Sequence, residues 1–191
     1  MNQLMQPSRA SDGGAPVQDR QSYLTFMLGA EMFAIGILAV KEIIEYETIT
    51  TVPMMPQCIT GVINVRGAVV PVMDLSLRFG RAASVCGKRS CIVIVETAST
   101  DGPATIGMLV DAVNAVLDIP DSDIEAPPSF GARVRSEFIQ GMGKVGGKFV
   151  LIIKAQEVLS ENDIGNIALA TGLADGAAHQ GLATAALALD G

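Results

Sequence analysis

Tryptophan is absent from this chain of 191 residues, histidine occurs once, and aromatic residues make up only 4% of it. That scarcity removes the stacking platforms on which binders of single-stranded nucleic acid depend. It also leaves one imidazole, His179, for any acid–base role. Basic residues are few as well: 13 Lys and Arg face 20 Asp and Glu, for a net charge of −7. An acidic chain is repelled by a phosphate backbone and by an anionic membrane surface, so neither nucleic acid nor direct membrane insertion is expected. Long apolar runs are missing too. The longest nearly uncharged one, residues 32–40, covers about half of the roughly 20 residues that a membrane-crossing helix needs. The N-terminus has neither a basic start nor a long apolar stretch, so no secretory signal is expected and a cytoplasmic location is. Cys58, Cys86 and Cys91 have no histidine cluster beside them and read as small buried or neutral thiols rather than metal ligands.

What is present is a chain with 49% hydrophobic residues, enough for a sizeable core. Residues 1–20 mix Gln, Ser, Asp, Gly and Pro without periodicity and read as a disordered leader. The domain is expected over residues 21–160. Residues 161–191 carry no Lys or Arg, and they read as one short helix near 164–170 followed by a flexible Ala-rich tail. Within the domain, short Val/Ile/Leu runs are punctuated by Gly, Pro and Asp, which predicts an all-β fold. Strands are predicted at 23–28, 33–37, 40–46, 61–65, 68–73, 91–96, 104–110, 113–119 and 148–154. Arg66-Gly67, Asp101-Gly102 and Gly146-Gly147 are the predicted turns, since glycine supplies the positive φ of a tight hairpin. Pro71 cannot donate to a ladder and is expected at an edge or beside a bulge.

The chain also repeats itself. Ile35-Gly36-Ile37-Leu38 returns as Ile106-Gly107-Met108-Leu109, a displacement of 71 (106 − 35). Ile59, Gly61, Val65, Gly67 and Val70 return as Ile139, Gly141, Val145, Gly147 and Val150, each at a displacement of 80 (139 − 59 for the first). The displacement grows by 9 (80 − 71), which implies an insertion of that length in the second copy, for which the proline-bounded stretch 120–130 is the candidate. The first unit is expected at about residues 21–80 and the second at about 81–160, with strands possibly exchanged. Units this small are expected to be stabilised by packing on each other.

Catalytic signatures fail on inspection. Gly141 to Gly146 satisfies G-x-G-x-x-G, but a strand rather than a helix follows it, so a pyrophosphate would meet no helix N-terminus. No P-loop is present, and His179 lies in the tail. Asp74, Asp111 and Asp118 end apolar runs, where Asp usually serves turns. Most methionines read as core filler, and the core is also favoured for Met54-Met55. One alternative stays open: a small-ligand-binding or catalytic β-barrel that uses the cleft between the two units, with Asp111 and Glu42 as polar groups.

The segments 34–44, Val52-Pro53 and 61–75, continuing through Val110-Asp111 and Ile139-Gln140-Gly141, resemble the CheW-type chemotaxis coupling proteins over about residues 23–159. The resemblance implies two intertwined five-stranded β-barrels with a short C-terminal helix. It further implies a non-enzymatic adaptor, without cofactor or metal, that tethers a CheA-type histidine kinase through its regulatory domain to the cytoplasmic tips of chemoreceptors. Carried over position by position, the receptor-contacting groove falls on Val40, Glu42, Ile43 and Arg66. The acid and the base correspond to the family's paired charges. The kinase or ring contact falls on Phe130, with Glu125 standing where members often carry a basic residue. Lys154 stands where the family often has Asp or Asn.

Overall fold

A computed structural model describes residues 20–99, 102–127 and 134–158. All nine predicted strands are present: β1 (Arg20–Leu28), β2 (Glu31–Gly36), β3 (Val40–Glu45), β4 (Ile59–Val65), β5 (Ala68–Asp74), β6 (Cys91–Ser99), β7 (Gly102–Val110), β8 (Ala112–Pro120) and, last in the chain, β11 (Lys148–Ile153). Two strands lack a sequence prediction, β9 (Ile124–Glu125) and β10 (Ile139–Val145). Glycines at 141 and 143 hide β10, because glycine weakens a strand considered alone. Packing requires one of them: a Cβ at Gly141 would lie 2.6 Å from Ile124 Cγ2 and 2.9 Å from the Glu125 carbonyl. Two short helices complete the fold, α1 (Leu75–Arg78) and α2 (Ala155–Val158). The leader, the helix predicted at 164–170 and the tail lie outside the described residues.

The strands form two sheets, a six-stranded one ordered β8-β1-β2-β11-β10-β9 and a five-stranded one ordered β3-β6-β7-β5-β4. The five-strand expectation thus holds for one sheet, and the two-residue β9 makes the sixth strand of the other. Each sheet draws strands from both copies of the repeat. β1 and β2 of the first copy sit beside β8 to β11 of the second, while β6 and β7 of the second sit beside β3 to β5 of the first. Parallel pairs join the copies: Val72, Met73 and Asp74 meet Gly107, Met108 and Leu109, and Leu151, Ile152 and Ile153 meet Phe33, Ala34 and Ile35.

The hairpin repeat is reproduced pair for pair. In the first copy Ile59 pairs with Met73, Gly61 with Val72 and Val65 with Ala68; in the second Ile139 pairs with Ile153, Gly141 with Ile152 and Val145 with Lys148. Both hairpins carry a bulge at the same place, between Ile59 and Gly61 and between Ile139 and Gly141. Both turns have positive φ at their two central residues, 53° and 89° at Arg66 and Gly67, 55° and 77° at Gly146 and Gly147. At the third predicted turn Gly102 belongs to β7 and pairs with Ser99, while Asp101 lies outside the described residues. Pro71 sits beside the bulge. It faces Val62, whose own N–H and C=O bond to Thr50, and the ladder to β7 begins only at Val72, so the missing donor breaks neither ladder.

The other repeat requires a correction. Val72 pairs with Gly107 and its counterpart Ile152 pairs with Ala34, so Gly107 corresponds to Ala34 and not to Gly36, a displacement of 73 (107 − 34). The length of the second-copy insertion is accordingly 7 (80 − 73) rather than 9. A two-residue slip leaves every side chain on its own face of the sheet, which is why the sequence pattern matched equally well in the wrong register.

Three apolar clusters stabilise this arrangement. Ile63, Val70, Val72, Ile92, Ile94 and Leu109 fill the interior of the five-stranded barrel, and Tyr23, Ala34, Ile119, Val150 and Ile152 that of the other. The largest cluster lies between the barrels and gathers residues from Leu24 to Val158. Four of the six phenylalanines form a column there: Phe26, Phe33, Phe79 and Phe138 follow one another at centroid spacings of 6.1, 5.6 and 5.7 Å. Neither barrel can keep its outer surface dry alone.

Candidate functional site

Strand β3 lies at the edge of its sheet, and its register against β6 shifts between Val40 and Glu42. A bulge of this kind re-aims side chains. Val40 remains half-buried and packs on the central core. Lys41, left out of the ladder, forms an ion pair with Glu96. Glu42 accepts a hydrogen bond from Arg66, Nη2 to Oε2 at 2.8 Å. Ile43 is 42% exposed, which excludes a core role for it.

Arg66 occupies the first central position of the β4–β5 turn, where the other hairpin has Gly146. A residue with a Cβ in the left-handed region costs about 1–2 kcal/mol. The pair it forms with Glu42 is exposed, 82% on the arginine and 26% on the glutamate, and an exposed pair contributes only about 0–1 kcal/mol. Asn64 Oδ1 accepts from Gly67 N at 2.9 Å and would support the turn whatever residue stood at 66. Stability therefore does not account for an arginine at this place. The structure thus brings together two of the four receptor-groove candidates, Glu42 and Arg66, exposes Ile43 beside Glu42, and sets Val40 inward. Glu125 is exposed on β9, paired with Met142, while Phe130 lies outside the described residues.

Asp74 and Asp111 serve the backbone, and Asp118 a neighbouring serine. Asp74 is buried and caps α1, accepting from Ser76 N at 2.8 Å, and it also accepts from Ser84 N at 2.8 Å. Asp111 Oδ2 accepts from Gly29 N at 2.5 Å across the β1–β2 turn, and Asp118 accepts from Ser22 Oγ at 2.6 Å. The alternative of a barrel enzyme needed Asp111 and Glu42 in a cleft between the units. That space is largely filled by the central core, and the groove of about 520 Å³ beside β2 and β11 is lined by neither residue.

One further expectation changes in part. Met54 is 98% exposed, with φ at 63°, whereas Met55 packs on the central core as expected. Of the cysteines, Cys58 is buried and Cys91 half-buried, but Cys86 is exposed. A hydrogen bond to Cys86, then a coulombic interaction with the same side chain, then burial push the Tyr46 phenol above its ordinary range. Among the described residues no group of three or more His, Cys, Asp or Glu is placed to hold a metal ion, and no helix is long and apolar enough to cross a membrane.

A family model described as a CheW-like domain matches residues 22–163. The chain belongs to the CheW-like family. Among curated CheW-like relatives, the chemotaxis protein CheW of Rhizobium meliloti is 31% identical over 73% of this chain and 88% of its own length. That of Klebsiella aerogenes is 29% identical over 75% and 84%. The crystal structure of the scaffolding protein TtCheW from Thermoanaerobacter tengcongensis superposes with a TM-score of 0.68 at 31% identity, covering 82% of this chain and 96% of TtCheW. The two exchanged barrels described above are thus the CheW-like fold.

Proposed function

We propose that this CheW-like protein is a non-enzymatic cytoplasmic adaptor of chemotaxis signalling, which couples a chemoreceptor's cytoplasmic tip to a CheA-type histidine kinase. The observation that carries the reading is Arg66. An arginine held in a strained backbone conformation and ion-paired with a half-buried glutamate, beside an exposed isoleucine, is costly for the fold and useful for a partner. The relatives are chemotaxis proteins and the structural neighbour is a scaffolding protein, which supports the same reading. In this scheme Glu42, Ile43 and Arg66 meet the receptor over the half-buried Val40, and Glu125 and Phe130 meet the kinase. The adaptor body spans residues 21–160, and the flanking residues 1–20 and 161–191 are dispensable for both contacts.

The test is charge reversal at the pair. Glu42→Arg and Arg66→Glu should each weaken binding of a receptor-tip fragment about tenfold or more, about 1.4 kcal/mol, in calorimetry at low salt, where charge effects are largest. Stability in urea should change by only about 0.5 kcal/mol. The double reversal should restore the internal pair without restoring binding. Unchanged affinity in both single variants would remove the pair from the receptor contact.

A further inference from the structure

The groove beside β2 and β11 has a composition that the coupling function does not require. Its floor is aliphatic, with Ile35 and Ala155 among the lining residues, and Leu38 stands fully exposed at its rim on the short 3-10 turn Ile37–Ala39. Three charged residues line it, Arg20, Glu96 and Lys154. Glu96 is engaged by Lys41 outside the groove. Arg20 and Lys154 have no carboxylate partner among the described residues, in a chain whose net charge is −7. Lys154 is anchored at its root, its backbone N–H donating to the Phe138 carbonyl at 2.9 Å. Two unpaired cations above an apolar floor favour an anionic group carried on an aliphatic body.

We propose that this groove docks an acidic, aliphatic segment of a partner protein, with Arg20 and Lys154 recognising its carboxylate and Leu38 covered by its apolar side chain. Charge complementarity selects this occupant. A neutral apolar segment would leave both cations facing a desolvated surface without compensation, and a second copy of this acidic chain would approach against net repulsion. The inference goes beyond the coupling reading and is tested without a receptor or a kinase.

The probe is the peptide acetyl-Leu-Glu-Ile-Glu-amide, compared with its glutamine twin, titrated into the full-length ¹⁵N-labelled chain and followed by amide shifts. The acidic peptide should move the Gly36, Ala39 and Ala155 amides and bind more tightly than the twin, with the preference falling as salt rises. Lys154→Met should weaken the acidic peptide about fivefold with an unchanged melting temperature, and Lys154→Arg should retain binding. Equal binding of the two peptides, shifts confined to other surfaces, or an unaffected Lys154→Met variant would overturn the proposal. So would concentration-dependent dimerisation abolished by Leu38→Asp, which would assign the groove to a second copy.

Discussion

The two hairpins, β4–β5 and β10–β11, share register, bulge and turn geometry, yet they differ at the positions that touch the outside. Where the first has Arg66 at the turn and Glu42 facing it, the second has Gly146 and, on the matching strand β8, Ala115. Ile43 and its counterpart Val116 are both exposed, at 42% and 51%, as are Val69 and Phe149 at 46% and 56%. The duplication therefore kept what closes a barrel and let the surface charges diverge. Each barrel presents an apolar outer face, but at these matched positions only the first adds a charge pair, so the two faces differ in charge.

The sharpest way to break this comparison is at the glycines that let each hairpin approach the preceding segment. A Cβ at Gly61, where φ is 151°, would lie 2.2 Å from the Thr50 carbonyl, whereas at Gly141 the nearest contact is a movable Ile124 methyl at 2.6 Å. Gly61→Ala should therefore cost about 2–4 kcal/mol, combining overpacking with backbone strain, and Gly141→Ala about 1–3 kcal/mol. Urea unfolding checks the order; equal costs would show that the two closures are energetically interchangeable.

A smaller effect is expected at the turns. Gly67→Val and Gly147→Val place a β-branched residue at φ of 89° and 77°, so each should destabilise by about 1–2 kcal/mol. Similar losses would show that the shared turn geometry carries a shared energetic cost, and an unchanged melting temperature in either would remove that turn from the comparison.

The smallest expected effect separates the barrel interiors. Tyr23 fills the six-stranded barrel, where the matching residue of the other is Ile92. Burial, then the negative charge of Asp121, raise its phenol above the ordinary value of 10.0, with a hydrogen bond to Gln140 opposing them. A raised folded value means that the protonated form is favoured in the native state. The stability tied to it is fully present below pH 10 and declines as pH rises through the folded value. Tyr23→Phe should flatten that decline in alkaline denaturation, and an unaltered slope would exclude the phenol as its source.

Much of the fold is legible in the sequence because its strands are dense in β-branched residues and bounded by Gly, Pro and Asp. The unread parts have physical causes. β10 is disguised by two glycines, one of which, Gly141, a neighbouring carbonyl demands, and β9 is too short to show any periodicity. The slip that matched Gly36 to Gly107 preserved face alternation, so only the ladder partners could reveal it. At the candidate site, the family resemblance suggested the Glu42–Arg66 pair, but the left-handed backbone at Arg66, which makes the pair informative, depends on the hairpin turn. Exposure was less readable. Ile43 and Met54 carry core-like side chains on outward-facing positions, and nothing in their types announces it.

The exchange of strands also sets a timetable. The five-stranded sheet uses β3 to β7, a continuous stretch ending at Val110, so every one of its strands is available early in synthesis. The six-stranded sheet must join Phe33 to Leu151, 118 positions apart (151 − 33). At about 5–20 residues per second, β2 waits on the order of 6–24 s for its parallel neighbour to be made. During that interval Phe26 and Phe33, buried in the finished molecule, lack the strands that cover them. The nascent chain is thus expected to be most vulnerable to aggregation before β11 is made.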